Sequence, residues 1–135
     1  MKELTTEATI ENINVVTEFV NEQLQELNCS MKAQMQIDIA IDELFSNIAQ
    51  YAYHPEIGNA TVCVDVTEHP MTVRITFIDH GIPYDPLSAI NPDITLSAEE
   101  REIGGLGIYL VKQTMDEVTY EYKGGQNILT IKKHL

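Results

Sequence analysis

The chain has no tryptophan, two cysteines in 135 residues, and only eight lysines and arginines against 21 aspartates and glutamates. Each shortage narrows what the protein can be. Cys29 and Cys63 share no CxxC spacing and sit among helix- and strand-like residues, so they read as small, reduced, apolar fillers of a reducing compartment. A formal net charge of −13 repels nucleic acid and anionic membranes, which makes both poor partners. Any phosphate site must then rely on backbone amides, a helix N-terminus and a metal more than on a basic patch. No apolar run approaches a membrane span, and Met1-Lys2-Glu3-Leu4-Thr5 lacks the apolar stretch of a signal peptide, so a cytoplasmic protein is expected. Asn28-Cys29-Ser30 matches a glycosylation sequon, which without a secretion signal is a chance match. No repeat, low-complexity tract or linker divides the chain, and a single domain over 1–135 is expected.

Hydrophobic periodicity organises what is present. Residues 2–7 read as a short opening strand. Ile13, Val16, Val20, Leu24 and Leu27 recur at helical spacing and predict an amphipathic helix over 10–27. Ser30 is a candidate N-cap for a second helix, whose stripe is Ile37, Ile41, Leu44, Ile48 and Ala52 and which His54-Pro55 closes. Val62, Val64 and Val66, then Met71, Val73, Ile75 and Phe77, alternate as two strands around a Glu68-His69-Pro70 turn. Residues 82–104 hold Pro83, Pro86 and Pro92 without periodicity; a loop of this length in a compact domain is either disordered or a functional lid. Gly104-Gly105-Leu106-Gly107 opens a third helix to about Met115. Val118, Tyr120 and Tyr122 then alternate into a strand, and Lys123-Gly124-Gly125-Gln126 turns the chain into a last one, 127–133. The sum is α+β: a two-layer α/β sandwich, helices covering one face of a mixed, mainly antiparallel sheet.

Three groups of residues carry candidate chemistry. Glu43 and Asn47 lie four apart on one face of the second helix, flanking its apolar stripe. They read either as a partly solvated pair on a helix edge, or as a general base beside an amide oxygen that binds Mg²⁺, a hard cation preferring oxygen ligands. Asp79-His80-Gly81-Ile82-Pro83 ends an apolar strand. It is either an ordinary turn or the base of a pocket, with Asp79 accepting from an adenine amine and Gly81 letting the backbone approach the ring. His80 has no second His or Cys at ligand spacing and reads as an incidental turn residue. Gly104-Gly105-Leu106-Gly107-Ile108 is either a glycine-rich helix start or a set of free N–H groups presented to an anion. It is not a Walker A loop, since no Gly-Lys-Ser/Thr follows, nor a dinucleotide fingerprint, since no strand runs directly into it.

In order and spacing these groups resemble the GHKL (Bergerat) ATPases, named for gyrase, a heat-shock chaperone, histidine kinases and the MutL repair protein. The resemblance runs from about residue 10 to the C-terminus and is strongest to the free-standing anti-sigma-factor serine/threonine kinases. It implies an ATP-binding sandwich with the nucleotide between the second helix, the lid at 82–104 and the glycine turn. Carried onto this chain, it makes Glu43 the base or water activator and Asn47 the Mg²⁺ ligand. Asp79 and Gly81 hold adenine, Gly105 and Gly107 meet the phosphates, and Pro83, Gly104 and Leu106 complete the ATP-binding set. Histidine kinases carry Asn where this chain has Glu43 and attach to a phospho-acceptor helix hairpin, so that branch is disfavoured. Two positions depart from the serine kinases. Ile103 stands where an arginine often reaches the terminal phosphate, with Arg101 and Lys112 nearby but neither a clean replacement. Gly125-Gln126-Asn127 stands where the last hairpin often carries Gly-Thr.

The resemblance implies a Mg·ATP-dependent protein serine/threonine kinase acting on an anti-sigma-factor antagonist. A sigma factor is an implied second partner, and homodimers are common in the family. The alternatives are a non-catalytic ATP-gated binding module, which the missing arginine favours, and a simple ATPase in which Glu43 activates water.

Overall fold

The computed structural model describes residues 1–88 and 105–135. Along the chain these form β1 (Lys2–Glu7), α1 (Ile13–Leu24), α2 (Met31–Asn47), β2 (Asn59–Thr67), β3 (Thr72–Asp79), α3 (Gly105–Thr114), β4 (Glu117–Lys123) and β5 (Gln126–His134). Helix α1 buries Val16, Val20 and Leu24, and tighter 3₁₀ turns at Ile10–Asn12 and Gln25–Leu27 extend it at both ends. Asn28, at φ +52°, ends that run in the left-handed region, which asparagine tolerates better than most residues.

Ser30 starts α2 as its spacing predicts: its hydroxyl accepts the Ala33 N–H at 3.1 Å, satisfying one of the free donors of the first turn. The helix buries Ile37, Ile41 and Leu44 from the expected stripe, and also Ala40 and Phe45 beside them. Its C-terminal turn, Ile48–Ala52, widens into a π turn, and Pro55 prevents regular continuation. The Ala52 carbonyl accepts the Ile82 N–H at 3.0 Å, so this helix end finds a partner beyond β3.

Among the described residues five strands order as β1-β2-β3-β5-β4. Every pairing is antiparallel, which corrects the expectation of a partly mixed sheet. The physical reason is the position of β5. Strands β3 and β4, separated by α3, run in the same direction, but β5 inserts between them and opposes both. On the inner face Ala60, Val62 and Val64 of β2, Val73, Ile75 and Phe77 of β3, and Leu129 and Ile131 of β5 are buried. All three helices contribute buried residues to this one core, and α2 packs against both α1 and α3. The outer face is polar, with Thr5 and Thr61 hydroxyls 2.8 Å apart and ion pairs at Arg74–Asp65 and Lys132–Glu117. The two-layer sandwich expected from the pattern is the fold observed. Among the described residues no helix is long and apolar enough to cross a membrane.

Two substitutions separate local from tertiary support. Ser30→Ala should lower stability by about 1 kcal/mol, whereas Phe45→Ala, at a fully buried position, should cost about 3–5 kcal/mol. Denaturant melts check both, with the midpoint shifting at unchanged slope.

Candidate functional site

The core face of the sheet turns polar at one end. After Val73, Ile75 and Phe77, the next inward residue of β3 is Asp79, only 5% exposed. Directly across the ladder, in line with Leu129 and Ile131, stands Asn127, 6% exposed. A buried carboxylate is costly unless donors meet it. Asp79 Oδ1 accepts the Gly81 N–H and the Asn127 side-chain amide, each at 2.9 Å. Among the described residues no hydrogen bond reaches Asp79 Oδ2, and Asp79 lines the adjoining cleft.

That cleft is walled by Leu44 and Ile48 from the α2 side and by Phe77 and Leu129 from the sheet, with Ile82, Tyr84 and Pro86 over it. Apolar walls around a few convergent polar groups suit a small organic ligand. Asn47 and Asp79 supply polar atoms to the lining. The ring of Tyr84, which lines the cleft, lies 6.0 Å from that of Tyr51, tilted by 39°. Gly81 passes so close to the π turn that an added methyl would overlap the Ala52 carbonyl. Beside it, the Tyr53 hydroxyl accepts the His80 N–H at 2.8 Å and donates to the Asn59 carbonyl at 2.6 Å, tying the end of β3 to the end of the helix.

Nine residues back along α2 and its π turn from Ala52, roughly 13 Å at about 1.5 Å per residue, lies Glu43. It rests against the first turn of α3, where a methyl on Gly107 would overlap its carboxylate. Burial pushes its pKa above the ordinary 4.5; the Asn47 hydrogen bond pulls it back, and the Asp42 charge adds to the rise. A raised pKa makes a carboxylate a stronger proton acceptor. One helical turn along, on the same edge of α2, the side-chain amide of Asn47 carries an oxygen that is a hard ligand. Among the described residues no three His, Cys, Asp or Glu side chains gather around a common metal position. The amide oxygen of Asn47 suits a hard cation that takes its remaining ligands from phosphate and water.

The structure thus groups Asn47 and Asp79 in the cleft, sets Gly81 at one end and brings Gly107 against Glu43. Pro83 is exposed and does not line the cleft. Gly105 and Leu106 form the start of α3. Gly104, Ile103, Arg101 and positions 89–104 of the expected lid lie outside the described residues. Of the lid's described beginning, Asp85 closes the Pro86–Ser88 turn by accepting the Leu87 N–H at 2.8 Å. Lys112 donates to the Leu87 carbonyl at 3.0 Å, holding that turn against α3. Sequence reasoning missed Asn127, Tyr84 and Tyr120 as parts of the cleft. The signal for Asn127 was a polar residue in the inward phase of an otherwise apolar strand.

The helix-covered face of the sheet thus ends in one buried carboxylate, Asp79, with a second, Glu43, on the covering helix. The chain belongs to the family of histidine kinase-like ATPase domains, which it matches over residues 6–133. Among named relatives, it is 27% identical over 106 residues to the serine/threonine-protein kinase BtrW of Bordetella bronchiseptica, covering 78% of this chain and 73% of that protein. It is 30% identical over 98 residues to the serine-protein kinase RsbW of Bacillus cereus, covering 70% of this chain and 60% of that protein. The fold matches the crystal structure of the RsbU and RsbW domains of Rv1364c from Mycobacterium tuberculosis with a TM-score of 0.64. That match covers 100% of this chain and 33% of the larger one at 17% identity.

Glu43 gives the site a pH signature. With its folded pKa raised, the folded state binds this proton more tightly than the unfolded chain. The resulting stability is fully present below the unfolded pKa and is lost as pH rises through the folded one. Glu43→Gln is neutral throughout, so at neutral pH it should melt above the wild type, and the gap should close as pH falls below 4.5. Melting curves across pH with no gap at neutrality would show that Glu43 is not desolvated.

Proposed function

We propose that the chain is a Mg·ATP-dependent protein serine/threonine kinase, with the adenine at Asp79 and the terminal phosphate at Glu43. The observation that carries this reading is the placement of the two carboxylates: Asp79, at the end of β3, lines the cleft, and Glu43, on α2, lies against the first turn of α3. In this reading the cleft at Asp79 takes the base, and the phosphates extend toward Glu43, whose burial raises its pKa. The kinase names of the relatives support the same reading.

Each residue then has a separate task. Asp79 Oδ2 accepts a hydrogen bond from the exocyclic amine of adenine, and Ile48, Phe77 and Leu129 cover the ring. The N–H groups of Gly105 and Gly107 at the start of α3 receive phosphate oxygens. In a chain of net charge −13, such neutral donors add attraction without a basic cluster. Asn47 Oδ1 holds Mg²⁺, which when bound offsets charge on the phosphate oxygens. Glu43 takes the proton of an incoming serine hydroxyl as its oxygen bonds to the terminal phosphorus and ADP departs with the electrons of the broken bond. The protein substrate is an anti-sigma-factor antagonist, a sigma factor is a second partner, and the working form is a cytoplasmic homodimer.

A second reading, an ATP-gated binding module, is favoured by Ile103 in place of the terminal-phosphate arginine and by the tethering of Lys112 to Leu87. γ-labelled ATP separates the readings. Label on the protein partner supports the kinase, free phosphate supports a simple ATPase, and neither supports the module.

Mg·ATP should raise the melting temperature, since a ligand of the native state stabilises it by mass action. Asp79→Asn should reduce that shift; no shift in the wild type at millimolar nucleotide would overturn the ATP reading. Glu43→Gln should keep binding and lose about 10²–10⁴-fold in transfer, whereas Asn47→Ala should weaken Mg²⁺-dependent binding and transfer together. Transfer unchanged in Glu43→Gln would remove Glu43 from the base role.

A further inference from the structure

We propose that Asn127 is the positioning residue for base recognition, locking Asp79 in the orientation that selects adenine over guanine and joining it to the segment after β3. The inference rests on the reading of Asp79 as the base-recognising group. It comes from the hydrogen-bonding capacity of one buried amide. An asparagine side chain has two N–H donors and two acceptor lone pairs. Asn127 uses all four: its Nδ2 donates to Asp79 Oδ1 at 2.9 Å and to the Ile82 carbonyl at 2.8 Å, while its Oδ1 accepts the Tyr84 N–H at 3.1 Å and the Tyr120 hydroxyl.

The partners fix which way the amide points. The Ile82 carbonyl can only accept and the Tyr84 N–H can only donate, so a flipped amide would oppose oxygen to oxygen and N–H to N–H. With Asn127 held, Asp79 Oδ1 is occupied by it and by Gly81, which leaves Oδ2 for the ligand. That oxygen accepts from the amine of adenine and opposes the ring carbonyl of guanine, an asymmetry that a water-filled or rotated carboxylate would lose. The same amide grips Ile82 and Tyr84, so the carboxylate and the first residues beyond β3 are held as one unit.

Titrating Mg·ATP and Mg·GTP into wild type, Asn127→Ala, Asn127→Ser and Asp79→Asn tests this by calorimetry. Wild type should prefer ATP. Asn127→Ala should lower both ATP affinity and the ATP-to-GTP ratio by about ten- to a hundred-fold, and Asn127→Ser, which keeps one donor, should fall between. A merely structural asparagine would weaken both nucleotides equally and leave the ratio unchanged. If the variants fail to fold, the wild type still decides: both side-chain amide protons of Asn127 should exchange slowly with solvent and shift on adding ATP but not GTP. Unprotected or unmoved protons would overturn the proposal. An unaltered ratio in Asn127→Ala, with the ratio abolished in Asp79→Asn, would overturn the positioning role alone. A wild type without preference between the nucleotides would overturn the base-recognition reading as well.

Discussion

The seating of α2 on the sheet is the constraint from which the rest of the cleft follows. Ile37, Ile41 and Phe45 are fully buried against the inner strands, in a core whose density leaves no room for the helix to slide or rotate. Glu43 and Asn47 occupy the border of that apolar face, half-buried, and inherit their positions from the packing. A carboxylate in mid-stripe would be desolvated without relief, and one on the far face would keep the ordinary acidity of a solvated side chain. The border position partly desolvates Glu43, which raises its pKa, and sets Asn47 one turn away on the same edge. Placement within a fraction of an ångström matters most for reacting groups, so the interior packing is part of the chemistry.

Electrostatically, the site is built with few cations. The described lysine on α3 acts structurally: Lys112 holds Leu87. The groups proposed to meet a nucleotide are backbone N–H groups, an amide oxygen and two carboxylates. A magnesium-complexed nucleotide enters such an acidic surrounding at lower electrostatic cost than the bare tetra-anion, because metal and ligand partly neutralise one another first.

How much could be read in advance depended on how local each signal was. The cap at Ser30, the stripe of α2 and the alternation of β2 and β3 depend on neighbours within a turn or a hairpin, and all were legible. The 10–27 segment was legible as a helical face, but periodicity does not distinguish the α from the 3₁₀ turns that share it. The place of β5 between β3 and β4 was not legible, because it is decided by strand pairing across the whole chain. Gly81 and Gly107 could be suspected as glycines, yet the groups crowding them, the Ala52 carbonyl and the Glu43 carboxylate, lie far away in sequence. Asn127 went unread for the same reason, its partner Asp79 being 48 residues away. Pro83 belongs to the motif by resemblance, but the chain turns it outward while its neighbours Ile82 and Tyr84 line the cleft.

The π turn at Ile48–Ala52 has a bearing on any attempt to thermostabilise the protein. Deleting one residue there, or enriching the segment in strong helix formers, would regularise the coil and improve its local geometry. It would also rotate every later position by about 100° and carry the Ala52 carbonyl away from Ile82. A redesign guided by helical propensity alone would therefore produce a sturdier helix that no longer grips the floor of its own cleft. Heat resistance and ligand affinity should trade against each other at these five positions.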